Sequence, residues 1–417
     1  MGFFKDYLIP FFAPEKDVVK ATEKLSISDG SFWAVYSSMT TPFLVPFSLL
    51  LLGVNAPIGY ITGIPVFLVP LAQFVSVKMT RRSDNLKDLT VLITFLDRLL
   101  WIPVVLLIFV PGYFDKLILI LILLSLRTFF ASASSTTWTL WVPTIIPEGS
   151  RNRYFAKRNF VMKIFSLIGY FIALLIFAGI SDYTIAIATV FLTGVLIFSS
   201  ISLMIMTRMP TFSLSIEDRT KGGKIRTEFK SFIFFIIVFY VGSSMVMPYF
   251  QLYMISSNFL NLSASVYTFI FILVSVSAII SQLYWGKFAD KYGLRLTILL
   301  NLGIALLSTL LIIMSTNPLD ILVPSILMGV TQSGLGLTLF NEMIGRSANT
   351  RIRSISFYNL FQSLASASGP ILANLAFVYS SSDIRMIFII SFILVLVSFF
   401  YFVAEKTFTS HRDTESV

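Results

Sequence analysis

Two ionisable residues stand side by side in a stretch that is otherwise apolar, Asp97 and Arg98 in "LTVLITFLDRLLWIPVVLLIFV". A third, Arg127, interrupts the next such stretch, "LILILILLSLRTFFASASS". A carboxylate surrounded by hydrocarbon needs a cation beside it or a proton on it. An arginine in the same surroundings needs an anion. Asp97 and Arg98 point about 100° apart on a helix, so they do not simply neutralise one another. The expectation is an interhelical Asp97–Arg127 pair, with Arg98 joining it or reaching for an interface. Two roles stay open: a proton-responsive or anion-binding group, or an ion pair that holds helices together.

The elements that must position these charges follow from composition. Of 417 residues, 56% are hydrophobic and 12% charged, against roughly 25% charged in soluble domains. Repeated runs reach the roughly 20 apolar residues needed to cross a bilayer core. The fold class is therefore an all-α membrane protein. Twelve spans are expected, near 30–53, 56–79, 88–111, 115–142, 158–180 and 183–206, then 229–254, 262–285, 295–315, 318–342, 355–380 and 384–404. With the N-terminus cytoplasmic, the inner segments and adjoining span ends hold 27 of the 31 Lys and Arg, while the outer loops hold only Lys116 and Arg385. That split is the positive-inside bias, and it places both termini in the cytoplasm. The net charge of +10 is thus mostly a topology signal, and no nucleic-acid partner is expected. Counted from the ends of their spans, Asp97 lies roughly 14 Å deep and Arg127 about 12 Å from the same inner edge, at similar depth.

The chain has no cysteine, and its single histidine, His411, lies in the polar C-terminal tail. A His/Cys metal centre is excluded, no cofactor is expected, and no G-x-x-x-x-G-K-S/T phosphate loop is present. The scattered carboxylates do not suit an enzyme. The mixed charges of "PEKDVVKATEKLSISD" are not those of a cleavable leader. Residues 1–29 read as a cytoplasmic segment, 30–206 as a six-helix bundle and 207–228 as a basic linker. Residues 229–405 read as a second bundle and 406–417 as a tail.

The two halves repeat one another. "SSMTTPFL" at 37–44 returns as "SSMVMPYF" at 243–250, "DLTVL" at 88–92 as "RLTIL" at 295–299, and "SRNRYF" at 150–155 as "TRIRSI" at 350–355. Both halves begin on the inside, so the repeats are parallel, an arrangement found in certain secondary transporters. Residues 286–295, "GKFADKYGLR", lie between spans eight and nine. They resemble the loop signature of the major facilitator superfamily through Gly286, Phe288, Ala289, Asp290, Lys291, Gly293 and Arg295. The first-half counterpart, "KMTRRSDNLKD", keeps its basic residues and Asp84 but lacks both glycines. The Gly-Pro element of the family's proton-driven drug antiporters belongs in span five, where this chain has Gly169-Tyr170. Its Gly369-Pro370 lies in span eleven.

The resemblance implies two pseudo-symmetric six-helix bundles and alternating access about a midplane site. It also implies that spans one, four, seven and ten line the cavity. Carried over, that implicates Ser37, Ser38, Thr40 and Thr41, then Trp138, then Ser243, Ser244, Tyr249 and Gln251, then Gln332 and Asn341. For any one hydroxyl, helix packing is the competing role. Gly286, Asp290, Gly293 and Arg295 would form a cytoplasmic latch. Gly286 would allow close helix packing, Gly293 a tight turn, and Asp290 a helix cap or ion pair. Glu342 is expected at the cytoplasmic gate with Arg346, Arg351 or Arg353. Pro42 and Pro248 would kink paired helices, their upstream serines satisfying the freed carbonyls. The function expected is a secondary transporter in the cell membrane, acting as a monomer. Its cargo would be a small neutral, amphipathic or monoanionic solute, and three modes of driving stay open: coupling to protons, coupling to another ion, and facilitated passage. A receptor or lipid-moving protein on the same fold is the alternative.

Overall fold

The computed structural model describes residues 17–54, 56–83, 85–211, 227–345, 351–380 and 383–405. Contacts divide the chain into two compact units, Met1–Ala56 with Leu68–Glu217, and Pro57–Phe67 with Asp218–Val417.

In the first unit, α1 (Val18–Thr40) starts where the Asp17 carboxylate accepts from the Val19 and Lys20 amides at 3.0 and 3.3 Å. Such a cap satisfies orphan donors of the first turn. The helix begins well before residue 30 because its buried face carries Thr22, Ser26, Ser28 and Asp29. That face is too polar to register as an apolar run. A 3-10 turn at Thr41–Phe43 contains Pro42 and leads into α2 (Leu44–Leu52). After α3 (Ile58–Gly63) and a 3-10 turn at Ile64–Phe67 come α4 (Leu68–Thr80), α5 (Leu86–Leu99), α6 (Trp101–Leu106), α7 (Tyr113–Ile145) and α8 (Glu148–Gly179). The sixth crossing is α9 (Tyr183–Leu192), a π-helical stretch at Thr193–Ser199, and α10 (Ser200–Thr207).

The second unit contains α11 (Thr227–Ile255), α12 (Ala264–Tyr292), α13 (Leu294–Met314), α14 (Leu322–Gly345), α15 (Arg351–Tyr379) and α16 (Ile384–Ala404). The α3 segment, expected in the first bundle, packs here instead. Gly59 and Gly63 have no side chain, and the backbone oxygens of Pro370 and Ala367 on α15 occupy the space a Cβ would need. Eleven helices among the described residues are long and apolar enough to cross a membrane, so this is a multi-pass membrane protein. A further helix, α15, is 29 residues long but carries Gln362, Asn374 and five scattered serines, and does not reach the same apolarity.

The repeated sequence produces a repeated contact. Ser38 on α1 bonds back to the Val35 carbonyl at 2.9 Å, and Gly169 on α8 sits against both. Ser244 on α11 does the same to Val241 at 3.3 Å, and Gly369 on α15 sits against that pair. Small residues let backbones approach closely, which is how membrane helices attract without a hydrophobic driving force. The prolines leave the Ser38 and Ser244 carbonyls without their helical donors, but the upstream hydroxyls bond elsewhere. They reach the Val35, Tyr36 and Val241 oxygens, one turn too early. The paired kinks also differ, since Pro42 sits in a 3-10 break while Pro248 stays inside continuous α11.

Gly369→Val would drive a branched side chain into Ser244 Oγ and the Val241 carbonyl. Overpacking of this kind costs about 1–3 kcal/mol. The thermal unfolding midpoint in detergent should fall, and adding Ser244→Gly should restore part of it. An unchanged midpoint for Gly369→Val would contradict the close crossing.

Candidate functional site

The polar residues of the first unit converge on α1. Arg127 Nε on α7 lies 3.4 Å from Asp97 Oδ1 on α5, so the two charges expected to meet do so. Neither atom makes a hydrogen bond among the described residues. The carboxylate oxygen is held by charge alone and is free to accept a proton or a donor. The Arg127 guanidinium also hydrogen-bonds the Tyr36 hydroxyl of α1 and lies 4.5 Å from the centre of the Trp101 ring. Trp101 in turn donates its indole N–H to Tyr36 at 2.5 Å. Cation–π stacking of this type gains strength where water is excluded.

Arg98 joins from the adjacent face. Its Nη1 donates to the Ser199 carbonyl at 2.5 Å, and its guanidinium lies 5.4 Å from the Tyr36 ring centre. Ser199 closes the π-helical stretch, whose wider turn changes which carbonyls find helical partners. One turn further, Ser202 donates to Asp29 Oδ1 at 2.6 Å. Asp29 is buried, and Arg98 and Arg158 are the cations whose fields reach it. Arg158 on α8 donates from Nε to the Ser26 carbonyl at 3.2 Å and covers the Trp138 ring at 4.3 Å. Ser26 and Tyr154 share a hydrogen bond of 2.5 Å. Two carboxylates and three arginines are thus held in the interior of one unit by five of its six crossings.

The second unit is hollow where the first is filled. A cavity of about 470 Å³ is lined by Tyr240, Ser243, Ser244, Ser308, Thr331 and Gln332 among others, and by Ala305. The repeat offsets of 206 and 207 residues set Tyr36, Arg98 and Trp101 against Gly242, Ala305 and Ser308. Three bulky side chains at the heart of the first unit become glycine, alanine and serine at equivalent places. None of the residues lining the cavity is ionisable in the physiological range.

Of the expected cavity residues, Ser243, Ser244 and Gln332 line this space. Ser38 and Thr40 are buried and bonded to their own helix, Ser37 is half-buried, and Thr41 is exposed. Trp138 lies under Arg158. Tyr249 is buried and donates to Asn374 Oδ1 at 3.2 Å, away from the cavity. Gln251 is buried, its Oε1 without a hydrogen-bond partner among the described residues, and Asn341 is exposed. The structure corrects the packing expected at Gly286 and the helix cap expected from Asp290. Residues 286–292 are helical rather than a loop, and a Cβ at Gly286 would meet open space, so that glycine serves no close contact. Asp290 is exposed in the last turn of α12, where a carboxylate cannot cap a helix N-terminus. Gly293, at φ +89°, does make the expected turn, and Arg295 Nη2 donates to the Val403 carbonyl at 3.0 Å, tying α13 to α16. Glu342 is half-buried. Asp84, Arg346, the basic linker over 212–226, His411 and the side chains of Arg351 and Arg353 lie outside the described residues.

Sequence reasoning missed Asp29, Tyr36, Trp101, Arg158, Ser199 and Ser202. A signal for the first two was available. Ser26, Asp29, Trp33 and Tyr36 recur at helical spacing and would have extended the first helix into the polar segment.

Residues 232–416 match the family described as Major Facilitator Superfamily. The fold is similar to that of a bacterial metal transporter, at TM-score 0.66 and 14% identity over 93% of this chain and 99% of the other. It is similar to a bacterial homologue of the iron transporter ferroportin in its inward-facing state, at TM-score 0.70 and 13% identity with the same coverages. It also resembles the nucleoside transporter NupG, at 0.68 and 11% over 92% and 98%. None of the curated proteins matches the chain in sequence.

Removing one partner of a buried ion pair strands the other and costs about 3–5 kcal/mol. Asp97→Ala should lower the thermal unfolding midpoint accordingly, and adding Arg127→Met should recover part of the loss. If Asp97→Ala were as stable as the parent, the pair would contribute nothing to the fold.

Proposed function

We propose, from the match of residues 232–416 to the Major Facilitator Superfamily and the likeness of the fold, that the chain is a member and carries a small neutral or amphipathic solute across the cell membrane by alternating access. The observation that carries the substrate class is the cavity of the second unit, with its hydroxyls, one primary amide and aromatic and aliphatic walls. Concave, largely apolar sites with a few polar groups are what small ligands use. A solute with hydrogen-bonding edges, as the name of one fold neighbour implies for its own cargo, suits such walls. A metal ion, the cargo named for another, would want carboxylate, imidazole or thiolate oxygens, nitrogens or sulfurs. Among the described residues no group of such side chains converges for a metal.

Coupling to protons belongs to the first unit. Asp97 is buried beside Arg127 with an oxygen that accepts no hydrogen bond among the described residues. Taking up a proton there would release Arg127 from Asp97 and so alter how α5 and α7 hold one another and, through the Arg127–Tyr36 bond, α1. Both termini are assigned to the cytoplasm on the distribution of basic residues. With twelve crossings in two bundles, each chain would be complete as a monomer.

The test is solute flux into liposomes holding the purified protein, with and without a proton gradient. Asp97→Asn should remove the response to the gradient while leaving exchange of solute; an unchanged response would exclude Asp97 as the coupling group. Ala305→Phe, which fills the cavity, should abolish stabilisation of the protein by any solute it carries. Retention of both binding and flux in Ala305→Phe would show that the solute sits elsewhere.

A further inference from the structure

A second concavity lies on the outer wall of the second unit, along α12 and α14. Its volume is about 640 Å³, and Ser277, Ile280, Ser281, Tyr284, Trp285, Lys287, Phe288, Lys291, Ile326 and Val330 line it. The α12 residues recur at spacings of three and four, so they form one stripe of the helix. From Ser277 to Lys291 that stripe is about 21 Å long at 1.5 Å per residue. Half of a bilayer with its headgroups is about 20–22 Å thick, so the groove matches one leaflet.

The chemistry along the groove is graded. Its polar atoms are already used: Ser277 bonds the Val274 carbonyl at 2.9 Å, and Ser281 bonds Ser333 at 2.7 Å. Trp285 donates across to the Val330 carbonyl at 3.1 Å, which fixes the indole between the two helices. With those groups satisfied, the floor offers only apolar contact to an occupant. Ile280, Tyr284 and Ile326 are exposed along it, as hydrocarbon-facing residues of a membrane helix are. At the helix end the exposed Lys287 and Lys291 sit one turn apart, with Lys291 Nζ 5.0 Å from the Tyr292 ring. Asp290 shares the helix end but is not part of the groove.

We propose that this groove is a binding site for an anionic phospholipid. One acyl chain would lie along the α12–α14 seam, and the phosphate would sit between Lys287 and Lys291. The occupant is chosen by the two ends of the groove together. A zwitterionic lipid would match the seam but gain little from the paired cations, and a free anion would match the cations but not the seam. Basic pockets at the ends of membrane helices hold acidic headgroups by this combination.

The test uses the purified full chain and four variants. Phosphatidylglycerol, phosphatidylcholine and inorganic phosphate are each titrated while thermal unfolding is followed, and bound lipid is counted by native mass spectrometry. Phosphatidylglycerol should raise the midpoint and remain bound, whereas phosphatidylcholine and phosphate should not. Binding shifts stability with affinity and concentration, so Lys287→Gln with Lys291→Gln should move the phosphatidylglycerol titration by at least about tenfold. Lys78→Gln, an exposed lysine at the end of α4, should leave it in place. Val330→Trp, which fills the seam and spares both lysines, should remove the effect as well. Should the double lysine variant fail to fold, Lys291→Gln alone and Val330→Trp still decide the matter. Equal stabilisation by phosphatidylcholine, full competition by phosphate, or loss in Lys78→Gln equal to that in the groove variants would overturn the proposal. So would self-association that Val330→Trp abolishes in the absence of acidic lipid, because a second copy would then be the occupant.

Discussion

A charge inside hydrocarbon has no water to turn to, and that constraint organises the first unit. Asp97, Arg127, Arg98 and Asp29 are each answered by another protein group: a counter-ion, a ring face, a backbone carbonyl or a hydroxyl. Those partners come from separate helices, so the helices cannot rearrange independently. Tyr36 stands at the junction, touching Trp101, Arg98 and Arg127 at once. Moving α1 would disturb all of them together.

Duplication supplies the frame and divergence supplies the chemistry. The crossings Ser38–Gly169 and Ser244–Gly369 are one contact built twice. The hydroxyl pair Thr94 and Ser134, bonded at 2.5 Å, has its sequence counterpart in Asn301 and Gly334, where the amide fills the space a side chain would need. Backbone geometry is therefore retained where helices touch. Between those contacts the two copies part company. One packs its interior with arginine, tyrosine and tryptophan, and the other empties the same region by using alanine, glycine and serine.

Much of the architecture was legible because bilayer-crossing helices are long, apolar and bounded by charge. The Asp97–Arg127 pair could be read from two signs together: equal depth on consecutive antiparallel helices, and the need of each buried charge for an opposite one. What was not legible depended on tertiary company. Asp29 looks like a surface residue in "KLSISDGSF" until Ser202 is brought to it from the far end of the unit. The motif at 286–295 suggested a loop, yet a Cβ at Gly286 would meet none of the described residues and the helix continues to Tyr292. The serines before each proline were assigned the right kind of bond and the wrong carbonyl, because hydroxyl reach is set by rotamer and not by need.

The π-helical stretch at Thr193–Ser199 carries an implication for register. A π turn accommodates one more residue than an α turn, and one residue rotates everything downstream by about 100°. Ser199 and Ser202 face Arg98 and Asp29 only at this phase. Were the extra residue absorbed by relaxing the stretch to ordinary α-helix, both serines would swing off the cluster together. The π turn is thus what sets the phase at which this crossing meets Arg98 and Asp29.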